Sequence, residues 1–128
     1  MTSSEYYIRG LDFLNNGDFD RAIEDFKASL KNEPDNRNTK NKLFWAYCGR
    51  GNVYRKNNEL DLAIQEYTEA IQLLPDHPTA YSSRAMTYDM KGESEKAIAD
   101  WEVVLKFQPD DETTKELIEI ARKELAGR

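Results

Sequence analysis

Residues Gly51 to Pro75 read GNVYRKNNELDLAIQEYTEAIQLLP, and this stretch decides the fold. It opens on a small residue and places an aromatic, Tyr54, three positions on. The pattern then breaks at Lys56-Asn57-Asn58-Glu59, where asparagine suits the left-handed backbone of a tight turn. A second small residue, Ala63, follows, with Tyr67 one helical turn further along the same face. Pro75 stops the run, because proline cannot continue a helix. The minimal reading is two helices, A and B, joined by a turn, each with a small residue where its partner must come close.

The same order recurs on both sides. Gly10, Phe13, Ala22, Ile23, Phe26 and Pro34 stand 41 residues before Gly51, Tyr54, Ala63, Ile64, Tyr67 and Pro75. Ala85, Tyr88, Ala97, Ile98, Trp101 and Pro109 stand 34 residues after them. Tyr6, Tyr47 and Tyr81 keep the same register. Small side chains let the two helices of a unit approach, and aromatics fill the space between units. The other two turns, Asn15-Asn16-Gly17-Asp18 and Met90-Lys91-Gly92-Glu93, carry the same permissive residues. Asp35, Asp76 and Asp110 follow the three prolines and are expected to cap the next helices.

This pattern resembles the tetratricopeptide repeat, with its period of about 34 residues and its Gly/Ala–Tyr–Ala–Phe–Pro signature. The resemblance covers nearly the whole chain. It implies an all-α fold, a right-handed superhelical solenoid of antiparallel helix pairs, with seven helices in a single domain over 1–128. Repeat 1 falls at about 3–36, repeat 2 at about 44–77, repeat 3 at about 78–111, and a capping helix at about 112–126. The cap is drawn from Leu117, Ile118, Ile120, Ala121 and Leu125, which recur at helical spacing. The chain departs from the pattern where Arg9, Arg50 and Arg84 replace the usual leucine, Ser29 and Val104 replace alanine, and Ala85 replaces glycine.

The first interval exceeds the second by seven residues, an insertion at about 37–43. Seven residues are close to two helical turns and lengthen a helix without rotating its faces. Residues 37–42 contain neither proline nor glycine, so the expectation is a helix from about Asn38 to Asn57, with a seven-residue loop as the alternative.

Composition narrows the function. Of the 128 residues 33% are charged, 39% hydrophobic and 11% aromatic, polar for a globular chain yet too aromatic for a disordered one. The net charge of −6 divides into −3 over residues 1–34, +5 over 35–56 and −8 over 57–128. An acidic body argues against nucleic-acid binding. The basic middle is either a solvated helix face or a surface that steers an acidic partner. The N-terminus, Met1 to Glu5, has no signal-peptide pattern, and the longest apolar run, Leu43 to Tyr47, is far short of the roughly 20 residues a bilayer span needs. A single cysteine, Cys48, forms no internal disulfide. The expectation is a cytoplasmic chain without membrane attachment.

Catalysis has little to work with. The one histidine, His77, lies between Asp76 and Pro78 in an inter-unit turn and reads as solvated. Cys48 has no histidine at nearby helical spacing, and no phosphate loop or metal-ligand cluster is present. No enzyme activity, cofactor or metal is expected, and most of the carboxylates read as outer-face residues that aid solubility.

The resemblance implies a concave groove lined by the A helices, where relatives bind polypeptide segments. By register, the first unit presents Tyr7, Leu11 and Leu14 to it. The second presents Trp45, Cys48, Asn52, Arg55 and Lys56, and the third Thr79, Ser82, Ser83, Met86 and Asp89. Tyr7, Leu11, Trp45, Asn52, Arg55, Lys56, Ser82 and Met86 are the candidate site, although apolar helix stripes such as Leu11, Leu14 and Met86 are as often core. A subgroup of the family clamps acidic heat-shock chaperone tails with Lys, Asn, Asn, Lys and Arg. The corresponding positions here hold Tyr7, Leu11, Gly49, Thr79 and Ser83, so that clamp is not expected. The implied function is a non-enzymatic adaptor or scaffold. The alternatives are a chaperone-like binder of a client's apolar segment and a self-assembling module that pairs its basic helix with acidic flanks.

Overall fold

The computed structural model describes residues 1–128 and contains seven helices and no strand. They are α1 (Ser3–Asn15), α2 (Phe19–Asn32), α3 (Arg37–Lys56), α4 (Leu60–Leu73), α5 (Pro78–Met90), α6 (Ser94–Phe107) and α7 (Glu112–Ala126). Helices pack against their neighbours in sequence, and α3 also touches both α1 and α5. The A helices α1, α3 and α5 therefore adjoin one another along one side of the stack.

Each unit closes through its small residues. A Cβ on Gly10 would lie 2.7 Å from the Phe26 ring, and one on Gly51 would lie 2.8 Å from the Tyr67 ring. Ala22, Ala63, Ala85 and Ala97 are fully buried at the matching contacts. The three A–B turns share one backbone device, a left-handed residue in the third position: Gly17 at φ 76°, Asn58 at φ 62° and Gly92 at φ 81°. One core gathers Phe26, Phe44 and Tyr47 between the first two units, and a second joins Ala85 and Trp101 to Ile118 and Ala121 of α7. Ile120 points outward, 56% exposed, so the apolar face of α7 is narrower than its composition implies.

The inter-unit turns correct the expected caps. Asn36, His77 and Asp111 cap α3, α5 and α7, one position after Asp35, Asp76 and Asp110. The reason is a four-residue turn. Asn36 N donates to Glu33 O, His77 N to Leu74 O and Asp111 N to Gln108 O, at 3.1–3.2 Å, so each Pro-Asp pair occupies the turn centre.

α3 begins at Arg37, so residues 37–43 are helical. At 20 residues it is about 30 Å long at 1.5 Å per residue, against 13 residues for α1 and α5. The Asn36 side chain accepts from Thr39 N at 3.1 Å to start it.

A repeated ion pair holds A to B in every unit, and its three carboxylates are the ones that leave the outer faces. Arg9 grips Asp25 through Nε and Nη2, both at 2.8 Å. Arg50 grips Glu66 the same way at 2.9 and 3.0 Å, and Arg84 grips Asp100 at 2.8 Å twice. Asp25, Glu66 and Asp100 are all buried. The free nitrogen of each later arginine reaches back one unit: Arg50 Nη1 to Asp20 at 2.9 Å and Arg84 Nη1 to Thr68 Oγ1 at 3.1 Å. Arg9 has no earlier unit, and its side chain is 51% exposed against 25% for Arg50 and 19% for Arg84. The bonds to Asp100 outweigh burial and raise the pKa of Arg84, and those to Glu66 and Asp20 overcome the opposing effect of burial at Arg50.

Candidate peptide-binding groove

Equivalent positions on the A helices form rows across the face where α1, α3 and α5 adjoin. One row is Leu11, Asn52 and Met86; a second is Tyr7, Cys48 and Ser82; Trp45 and Thr79 belong to a third. The first unit contributes half-buried side chains. Tyr7, Leu11 and Leu14 pack against the core between the first two units, and the Tyr7 ring lies 6.1 Å from that of Phe26. Cys48, which the register places in the groove, is instead only 4% exposed and belongs to the same core. Burial pushes its thiol up to about 12 and leaves little of the side chain accessible from the groove.

The exposed character comes from the second and third units. Trp45 and Met86 are 43% and 45% exposed, and Asn52 and Lys56 are also open to solvent. Arg55, Thr79, Ser82 and Ser83 are half-buried, and Asp89 is exposed.

Two of these side chains are held in place from behind. Trp45 is fixed by an aromatic cluster. Its ring meets Phe44 edge-on at 5.1 Å and His77 edge-on at 5.2 Å, while Phe44 and His77 lie 4.5 Å apart. His77 is thus not a freely solvated turn residue. It caps α5, with Nδ1 accepting from Thr79 N at 3.4 Å, and it is half-buried against Phe44 and Trp45. Asn52 is fixed by Tyr67, whose hydroxyl donates to Asn52 Oδ1 at 2.5 Å. The Tyr67 side chain is fully buried, and burial pushes its hydroxyl up to about 12, which keeps it a donor. With Oδ1 occupied, the Asn52 amide NH2 remains free to donate to a ligand.

The arrangement offers shape and hydrogen bonding. No group of three or more His, Cys, Asp or Glu side chains is placed to hold a metal ion. No helix is long and apolar enough to cross a membrane.

Comparison with known proteins agrees with this architecture. A family model described as TPR repeat matches residues 51–92, and one described as Tetratricopeptide repeat matches residues 3–36. The human DnaJ homolog subfamily C member 7 is 35% identical over 109 residues, which are 85% of this chain and 21% of the relative. The chain therefore spans about a fifth of that protein's length. The first TPR domain of Spaghetti (RPAP3), solved with the HSP90 peptide SRMEEVD, superimposes with a TM-score of 0.63 at 20% identity, covering 98% of this chain and 94% of that one. MamA superimposes with a TM-score of 0.63 at 25% identity over 91% of this chain and 84% of that one.

Proposed function

The chain belongs to the tetratricopeptide repeat family, a class of protein–protein interaction module, and on that footing we propose that it acts as an adaptor that holds a polypeptide segment against α3 and α5. The observation that carries this reading is the pair Trp45 and Asn52. One is a half-exposed indole locked by two neighbouring rings, the other an exposed amide whose orientation is set by a buried tyrosine. Both are pre-ordered, so little side-chain entropy is lost when a ligand arrives. The indole takes an apolar side chain, Met86 adds adaptable apolar surface, and the Asn52 amide takes a backbone carbonyl. Lys56 and Arg55 lie beyond Asn52 and favour carboxylates in the adjoining part of the segment.

A heat-shock tail gripped by a carboxylate clamp is not part of this proposal, because Tyr7, Leu11, Gly49, Thr79 and Ser83 supply none of its cations or amides. The test is affinity purification with the Trp45→Ala and Asn52→Ala variants beside the wild type. An adaptor groove requires the wild type's specific partner to be lost from both variants while their circular dichroism stays helical. Retention of the same partner by both would refute it.

A further inference from the structure

The seven extra residues of α3 build something the other units lack. A recess lies at each point where an A helix, its B helix and the following helix meet. Beside Tyr7 and beside Ser82 these recesses are about 200 and 210 Å3. At the corresponding place in the second unit, between the first two turns of α3 and the α4–α5 turn, the volume is about 460 Å3, within the range of about 300–1,000 Å3 typical of ligand pockets.

Its walls also differ in chemistry. The smaller recesses carry hydroxyls and a carboxylate, Glu33 in one and Asp111 in the other. The large one is lined by Arg37 and Lys40 from α3, by Leu73 at the end of α4 and by Leu74 just beyond it. Neither cation forms an ion pair with any carboxylate of the chain, including Asp76 in the same wall. By contrast Arg9, Arg50 and Arg84 are all paired. The recess is also where α3 and α5 begin, capped by Asn36 and His77, so two helix N-termini add partial positive charge. Unpaired cations beside two half-buried leucines that still line the recess ask for a ligand carrying both carboxylates and an aliphatic group.

We infer that this recess binds an acidic polypeptide segment of a partner protein, with one apolar side chain seated against Leu73 and Leu74 and flanking carboxylates on Arg37 and Lys40. The inference does not rest on the groove reading: the recess lining includes none of Trp45, Asn52, Arg55, Lys56 and Met86, and it meets the groove only where its His77 touches Trp45.

The test uses fluorescence anisotropy with a labelled heptapeptide of six glutamates about a central leucine, at about 50 mM NaCl where charge pairing is weakly screened. Saturable binding is expected, weakened at least about tenfold by the double substitution Arg37→Glu/Lys40→Glu and by serine in place of the leucine. The double substitution Lys31→Glu/Lys106→Glu, at exposed positions that line neither the recess nor the groove, changes the net charge equally and is expected to leave affinity within about twofold. In the wild type, amide shifts on titration are expected at Lys40, Asn41, Leu74 and His77, a readout independent of any variant's folding. Absence of saturable binding, equal loss in the two charge variants, or shifts confined to α5 and the end of α3 would each overturn the inference. So would a titration in which the peptide displaces a second copy of the chain, which would make that copy the occupant.

Discussion

Replacing Arg84 with methionine tests whether the repeated ion pair holds the stack together. The substitution keeps the aliphatic bulk and removes three hydrogen bonds: two to Asp100 at 2.8 Å and one to Thr68 at 3.1 Å. The Asp100 side chain, 7% exposed, is left as a buried carboxylate without its partner. Breaking a fully buried pair costs about 3–5 kcal/mol, and partial solvent access to Arg84 reduces that to about 2–4 kcal/mol. For a chain of 128 residues, with unfolding entropy near 2.1 cal/mol/K per residue, the midpoint should fall by about 7–15 °C. The same change at Arg9 should lower it far less, since that side chain is 51% exposed and bridges no earlier unit. Adding Asp100→Leu to Arg84→Met should recover most of the loss, because an apolar pair of similar volume replaces a buried ionic one at little cost. Thermal and urea unfolding followed by circular dichroism measure all of this. Equal losses at Arg9 and Arg84, or a double variant less stable than Arg84→Met, would refute the reasoning.

Gly51→Val should destabilise by about 1–3 kcal/mol in urea unfolding, because even a Cβ there meets Tyr67 at 2.8 Å. Gly17→Ala tests a different cause: nothing crowds that position, yet φ is 76°, so a loss of about 1 kcal/mol from backbone strain is expected. Cys48 should resist iodoacetamide at neutral pH until urea exposes it, as its thiol is held up to about 12. The same burial makes the fold depend on pH: a folded-state value raised above the ordinary 9.0 gives stability that is complete below that value and lost as pH climbs towards 12. Cys48→Ala should lose stability less steeply than wild type across that alkaline window. Tyr67→Phe should cost about 1 kcal/mol through the bond to Asn52 and weaken partner binding with it, read by calorimetry against the captured partner.

The pairing of helices was open to reading because it depends on residue size at fixed intervals, and Gly10, Gly51 and Ala85 announce it directly. The ion pairs are legible in principle from spacing. Asp25, Glu66 and Asp100 keep the same intervals as Arg9, Arg50 and Arg84, but an arginine in a leucine position reads as a departure until its acid is sought 16 residues on. The caps moved by one position because Pro-Asp fills the centre of a turn, a three-dimensional constraint that cap preference alone does not express. Cys48 has a groove register but a small side chain that the core absorbs. The contact of His77 with Trp45 joins a turn residue to a helix more than 30 positions earlier and follows no period, so nothing in the chain's pattern marks it.

Side-chain footprinting by hydroxyl radicals addresses the claim that the α3–α5 face receives the partner. Trp45 and Met86 are open enough to be oxidised in the free chain, as are Leu62 on α4 and Ile120 on α7. Binding is expected to protect Trp45 and Met86 and to leave Leu62 and Ile120 as reactive as before. Protection of Leu62 or Ile120, with Trp45 and Met86 unchanged, would place the partner on the outer helices and contradict the account.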